Sequence, residues 1–373
     1  MKVKNKKVNK KADPILLGLI FVLLFFGLVM ISSAGVVISE TRFGDPYHLF
    51  KRQLFFGIIP GLAVFFIVQK INYRFWKKIS LPFFILSIIL LVLALIPGIG
   101  ESYKGASRWI DLGEFSFQPA EFVKLAIIIY LAAWVESRKK EIKSFSHGVL
   151  PFLFILAIPA VLIISQPDIG TLGSILIIAF AMFFVAGAPF LYLTGLAVSG
   201  SILGAFLILI SEYRLDRVKA FLDSSIDPQK IGYQINQALL AVGSGGIFGL
   251  GLGHSRQKFN YLPEPVGDSI FAITAEELGF IGAGFLVVLF VAFALRGFRI
   301  ACSAPDTFSR LAAVGISSWI VFQAFINIMA IIKIIPLTGI PLPFISYGAT
   351  SMIFVLTASG ILVNISKYCN LEK

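Results

Sequence analysis

Apolar residues run along this chain in long blocks, and charge collects in the short stretches between them. A membrane-spanning helix needs about 20 consecutive, mostly apolar residues. Ten blocks approach that length: 14–39, 52–69, 80–97, 119–136, 148–165, 169–187, 190–211, 269–295, 309–332 and 343–366. The first is too long for a cleaved leader and shows no small-residue cleavage site, so it reads as a signal anchor. The predicted fold class is all-α: a polytopic membrane protein of ten transmembrane helices, with one large extramembrane loop, 212–268, between the seventh and eighth. The predicted organisation is a basic tail over 1–13, a single transmembrane domain over 14–366 and a second tail over 367–373.

Composition supports that reading. Of 373 residues, 57% are hydrophobic and 14% charged, and mean hydropathy is +0.90. Ordinary soluble domains carry roughly 25% charge. A soluble globular enzyme, a disordered chain and a collagen-like repeat are all excluded. The net charge of +12 would suggest nucleic-acid binding in a soluble protein. Here the basic residues sit at the ends of apolar blocks, which suits orientation and anionic lipid and argues against nucleic acid. With the N-terminus inside, nineteen Lys and Arg fall on inner segments and six on short outer loops. Both termini are therefore expected in the cytoplasm, as are Cys302 and Cys369, which lack the spacing of a zinc site.

Ionisable residues at membrane depth are expensive and mark function by default. In this topology they cluster towards the outer surface. Glu121 and Lys124, three apart on one helix face, read either as a self-neutralising pair that lets the helix insert or as a site for an anionic head group. Asp268 follows Pro263, Pro265 and Gly267 just before a helix start; it is either an N-cap or a general base at the water–lipid boundary. Glu276 is expected near the same helix face, about 12 Å along at 1.5 Å per residue. Asp168 sits in the turn Ser165–Gly170, where it caps the turn or serves the cavity. Lys104 and Arg108 suit a phosphate, although Arg108 has Asp111 and Glu114 as alternative partners. Trp109 reads as an interface anchor or part of the site.

Other features point elsewhere. The glycines between Gly243 and Gly253 follow no strand and lack a Gly-Lys-Ser/Thr ending, so they predict a flexible turn, not a phosphate loop. His48, His147 and His254 are isolated and show no metal spacing, and no Ser-His-Asp arrangement is legible. The Pro- and Gly-dense stretch 336–348 is irregular backbone beside membrane. Such backbone is tolerated only inside protein or lining a cavity, so it is expected to fold back over the site.

Several runs carry a family resemblance when read in order: Lys104–Gly113 (KGASRWIDLG), Phe117–Phe122 (FQPAEF), Gln166–Thr171 (QPDIGT), Leu262–Pro265 (LPEP), Asp268 with Ala275–Gly279 (AEELG), and Gly339–Gly348 (GIPLPFISYG). The chain resembles the SEDS family of shape, elongation, division and sporulation proteins. Lys104–Trp109, Gly232–Gln234, Ser255–Lys258 and Pro265 make it more similar to the division branch, FtsW, than to the elongation branch, RodA. Where the family usually shows His-Thr-Asp-Phe this chain has Val266-Gly-Asp-Ser269, and Ala349 stands for a usual Gly.

The resemblance implies a peptidoglycan glycosyltransferase that polymerises lipid II, the undecaprenyl-diphosphate-linked disaccharide-pentapeptide. It implies action at the outer face of the cytoplasmic membrane, beside a class B penicillin-binding protein and other divisome proteins. It also implies that Asp268 is essential for catalysis, and the chemistry of glycosyl transfer, which needs a base for the sugar hydroxyl, makes it the proposed base. The candidate substrate-binding residues are Lys104, Arg108, Trp109, Glu121, Lys124, Asp168, Glu264, Glu276 and Ser346, with or without a divalent cation at the diphosphate. Two rivals remain at this stage: a lipid II flippase with the same cavity and an elongation-type polymerase. A noncatalytic scaffold is a third reading.

Overall fold

The computed structural model describes residues 11–103, 106–111, 113, 115–223 and 231–370. The described residues form fifteen α-helices. In chain order they are α1 (Pro14–Ala34), α2 (Val36–Phe43), α3 (His48–Arg52), α4 (Ile59–Val68), α5 (Tyr73–Lys78), α6 (Ser80–Leu95), α7 (Pro119–Ser137) and α8 (Leu150–Ser165). There follow α9 (Ile169–Val185), α10 (Phe190–Leu209), α11 (Glu212–Leu222), α12 (Ile231–Ser244), α13 (Ile270–Cys302), α14 (Thr307–Ile331) and α15 (Ala349–Ser366). A π-helical turn, Gln53–Ile58, joins α3 to α4, and another, Phe145–Val149, leads into α8.

Among the described residues, seven continuous helical stretches are long and apolar enough to cross a membrane; α6 and α9 are shorter apolar helices. The helices are apolar around most of their circumference, as expected where lipid or protein surrounds every face. Their starts carry ordinary signals. Pro14 and Pro119 occupy first turns, where a missing N–H costs nothing. Asp13 accepts from the Leu16 amide at 2.7 Å, and Asp306 forms a capping box with Ser309.

Helices α7, α14 and α15 are the buried centre, and α10 is the periphery, with Leu193 its one buried side chain. The tightest neighbours are α13 with α14, α15 with α4, α6 with α7, and α14 with α9 and α7. The described termini meet at one end of the bundle. There the Asp13 amide donates to Ser366 Oγ at 3.1 Å, Arg296 pairs with Asp13, and the Tyr73 hydroxyl donates to Asp306 at 2.6 Å.

Four details differ from the sequence reading. First, the fold is not purely helical: β1 (Gly100–Tyr103), β2 (Ala106–Asp111) and β3 (Ser116–Phe117) form an antiparallel sheet in the order β1-β2-β3. The stretch is too short and polar to show a strand pattern by itself. Second, the tenth apolar block begins as irregular loop, and its helix starts only at Ala349. Third, α13 runs on to Cys302, well past the expected end at 295.

Fourth, the glycine run is a packed clasp, not a flexible turn. Helix α13 breaks at Gly279 (φ 66°, ψ −168°), which frees backbone groups that a continuous helix would satisfy. The 246–251 backbone takes them up. Phe280 N donates to Gly246 O at 2.9 Å, and Leu250 N and Gly251 N donate to Glu276 O and Glu277 O at 3.0 Å each. A side chain at Gly279 would meet Gly249 N at 2.3 Å, so the approach requires glycine.

Candidate functional site

The loop between α14 and α15, residues 332–348, organises the other end of the bundle. It lies against the turn that precedes α13, as expected for backbone folded over a cavity. Tyr347 N donates to Val266 O at 2.8 Å. Ser346 Oγ accepts from Leu342 N and donates to Gly267 O, both at 2.7 Å. From α14, Asn327 Nδ2 bridges the Asp268 and Ile340 carbonyls at 2.8 Å each, and Gln323 Nε2 donates to Pro341 O at 2.9 Å. Tyr347 N, Ser346 Oγ and Asn327 Nδ2 thereby hold the backbone carbonyls of Val266, Gly267 and Asp268.

Asp268 is half-buried. Ser269, not Asp268, occupies the N-cap of α13, and no side-chain bond caps that helix. The N-cap alternative for Asp268 is thus not what the geometry uses. Its carboxylate lies over Gly339: a methyl group built there would sit 3.7 Å from Asp268 Oδ2. The same spot is 3.8 Å from Arg217 Nη2 and 3.9 Å from Arg217 Nη1.

Beside this turn opens a cavity of about 350 Å³. Trp109, Glu264 and Tyr347 line it, with Arg52, Glu101 and the aromatic rings of Phe56 and Phe115. Glu264 takes a positive φ of 49°, and its carbonyl accepts from Gly267 N at 3.0 Å, which tightens the turn. Aromatic faces, carboxylates and a guanidinium in one concave space suit a polar, ring-containing ligand. Among the described residues no three His, Cys, Asp or Glu side chains converge as a metal site.

The structure separates the remaining sequence candidates. Glu121 and Lys124 are both about 2% exposed and pair at 2.7 Å. Lys124 Nζ also donates to Gln323 Oε1 at 2.9 Å and lies 4.9 Å from the centre of the Trp319 ring. The pair reaches the 336–348 loop through Gln323, yet its charges are spent on each other. Asp168 caps α9, accepting from Thr171 N at 3.2 Å and Thr171 Oγ1 at 2.8 Å. Arg108 pairs with neither Asp111 nor a free anion site; it donates to the Gln166 and Pro167 carbonyls at 3.0 and 2.5 Å. Lys104 and Glu114 lie outside the described residues.

Glu276 requires a correction. It was expected on the face shared with Asp268, but its carboxylate accepts from Ser255 Oγ and from the Arg256 and Gln257 amides, at 3.0 and 3.3 Å. It holds the glycine clasp, because its partners come from the 255–257 segment, which helix periodicity along α13 does not place. Glu277 is equally engaged, with Lys258 Nζ at 3.0 Å and Ser33 Oγ at 2.6 Å.

Two residues at the site went unnoticed in the sequence. They are Arg217, on α11, and Arg52, at the end of α3. Each lies far in sequence from Asp268, and no spacing rule links them.

Comparison with known proteins accords with the motif reading. The family described as "Cell cycle protein" (FtsW/RodA/SpoVE) matches residues 14–371. The chain is 44% identical over 363 residues to Stage V sporulation protein E of Bacillus subtilis (strain 168), covering 96% of this chain and 99% of that one. It is 40% identical over 354 residues to "Probable peptidoglycan glycosyltransferase FtsW" of Trichlorobacter lovleyi, covering 95% and 93%. Among solved structures it superposes with a TM-score of 0.78 and 27% identity, over 95% and 97% of the chains, on one reported as "Structural coordination of polymerization and crosslinking by a peptidoglycan synthase complex". The Thermus thermophilus rod shape determining protein RodA gives a TM-score of 0.70 at 26% identity, over 95% and 96%. By its family match and its apolar helices, the molecule is a multi-pass membrane protein. The chain belongs to the FtsW/RodA/SpoVE family of cell cycle proteins.

Proposed function

We infer that this protein is a peptidoglycan glycosyltransferase that polymerises lipid II, and that Asp268 is its general base. The observation that carries this reading is a half-buried carboxylate held by a braced turn beside a cavity that pairs aromatic rings with charged groups. Relatives named as peptidoglycan glycosyltransferases at 38–40% identity support the activity.

The chemistry follows from the substrates. Both are lipid-linked, so a site at the edge of the hydrocarbon is required. Asp268 takes the proton of an acceptor sugar hydroxyl as its oxygen attacks the anomeric carbon of the donor, and the diphosphate departs with the bonding electrons. General-base help of this kind contributes about 10²–10⁴-fold. Trp109 and Glu264 line the space that receives the sugars, and Ser346 fixes the turn that aims Asp268.

The topology completes the reading. Ten spans over 14–366 arise when α6, α7 and α9 cross as well; the Glu121–Lys124 pair neutralises α7 for insertion. The basic-residue bias puts both termini in the cytoplasm and Asp268 on the extracytoplasmic side of the cytoplasmic membrane. Cys302 is exposed, so a membrane-impermeant maleimide should label it only after permeabilisation; labelling in intact cells would reverse the orientation. A class B penicillin-binding protein is the proposed partner, in line with the structural likeness to a peptidoglycan synthase complex.

The test is polymerisation of fluorescent lipid II by the purified protein and its partner. Wild type should make glycan strands and Asp268→Asn should not, with unchanged thermal stability and partner binding. Translocation of lipid II without polymer would support a flippase instead. A sporulation role has one specific observation in its favour, the 44% identity to Stage V sporulation protein E. Depletion distinguishes the two settings: filamentation supports division, and a block confined to spore formation supports the other.

A further inference from the structure

Glycosyl transfer from a lipid diphosphate needs a cation where the leaving group departs. Two of the cations that sequence pattern offers for this are engaged elsewhere: Arg108 on two carbonyls and Lys124 in a dry ion pair. The guanidinium that shares the space over Gly339 with the Asp268 carboxylate is that of Arg217, on α11.

Arg217 is held as a preorganised group. Nη1 donates to the Leu337 carbonyl at 2.9 Å, and Nη2 donates to the Tyr213 hydroxyl at 2.6 Å. The guanidinium carbon lies 4.8 Å from the centre of the Tyr213 ring, one helical turn earlier. Nε is buried and has no hydrogen-bond partner among the described residues. Gly339 (φ 70°) presents no side chain, so the spot between the two charged groups stays open. A buried donor without a partner is costly, and an arriving acceptor oxygen removes that cost.

We propose that Arg217 is a catalytic residue that receives the charge developing on the diphosphate leaving group beside Asp268. The inference rests on the glycosyltransferase reading and names the residue for its leaving group. In the step itself, the acceptor hydroxyl gives its proton to Asp268 and its oxygen bonds to the anomeric carbon. The bond from that carbon to the diphosphate oxygen breaks, and the electron pair leaves with the diphosphate, next to Arg217. Arginine suits this task because its planar fork stays charged and matches phosphate oxygens two at a time, whereas lysine offers a point charge. A fixed cation aimed at developing charge acts without reorganising during the reaction.

The experiment compares the full-length wild type, Arg217→Ala and Arg217→Lys, each with its partner, on fluorescent lipid II. Thermal stability and partner co-purification serve as controls for folding. Arg217→Ala should lower kcat by about 10²–10³-fold, the loss seen when one charge-stabilising donor is removed. Wild type should be inhibited more strongly by undecaprenyl diphosphate than by undecaprenyl monophosphate, and both variants should lose that preference. A kcat within a few-fold of wild type, or an unchanged preference, overturns the assignment. If Arg217→Ala fails to fold, the inhibitor preference of Arg217→Lys decides alone. A wild type that makes no polymer sinks the underlying activity; a wild type that polymerises beside undiminished variants sinks only the role of Arg217.

Discussion

Asp268 and the Glu276–Glu277 pair stand within nine residues of each other near the start of α13, the first half-buried and the pair fully buried. Their surroundings differ. Glu276 and Glu277 accept bonds from Ser255, Arg256, Gln257, Lys258 and Ser33, and those bonds fasten the glycine clasp to the broken helix. Asp268 has its backbone carbonyl fixed by Asn327, while its carboxylate shares an open spot with a guanidinium. A buried acid is therefore not by itself a site. The clasp uses charge to seal a helix break, and the turn uses braced backbone to present charge to the open spot over Gly339.

Substitution should separate the two regions. The largest effect is expected for Asp268→Asn, a loss of about 10²–10⁴-fold in polymerisation rate with the melting temperature kept. Glu277→Gln should do the reverse. It leaves Lys258 buried without its counter-ion, which costs about 3–5 kcal/mol of stability and shows as a lower melting temperature in detergent. Turnover per folded molecule should fall far less than in Asp268→Asn. If Glu277→Gln stops polymerisation at full stability, the contrast drawn here is wrong.

Lys124→Ala sharpens the same contrast from a third buried acid. It strands Glu121, so stability should drop by a comparable few kcal/mol. Lipid II affinity of the folded protein, measured by a binding titration, should hold. Lost affinity at unchanged stability would return Lys124 to the substrate site.

The smallest effect belongs to the end of the bundle where the described termini meet. Burial, and then the bond to Asp306, push the Tyr73 hydroxyl up to about 12. A group whose pKa rises on folding stabilises fully below its unfolded value, near 10, and loses that contribution as pH climbs towards 12. For Asp306 burial opposes the charge, but hydrogen bonds from Tyr73 and Ser309 outweigh it and hold the carboxyl below its usual range. Its contribution is present above the ordinary value of 3.8 and is lost as pH falls below it. Tyr73→Phe should remove about 1 kcal/mol near neutral pH and flatten the alkaline decline in melting temperature.

Much of the molecule was legible along the chain. Apolar blocks of spanning length marked the helices, because lipid demands continuous apolar surface whatever the neighbours are. Pro–Gly density beside membrane marked the 336–348 loop, and the carboxylate before α13 marked the proposed base, because both are expensive unless used. What pattern alone could not reach was the choice among partners. Lys124 could have met a phosphate or Glu121, Arg108 an anion or two carbonyls, and Glu276 the cavity or the clasp.

Sequence thus determined which segments are helical and which charges needed an explanation, since those follow from local composition and the cost of burying charge. Only the tertiary structure decided that Arg217 shares a spot with Asp268, that Gly279 breaks its helix and that Arg52 reaches the cavity. These depend on contacts between segments far apart in the chain, and no local period or spacing encodes them.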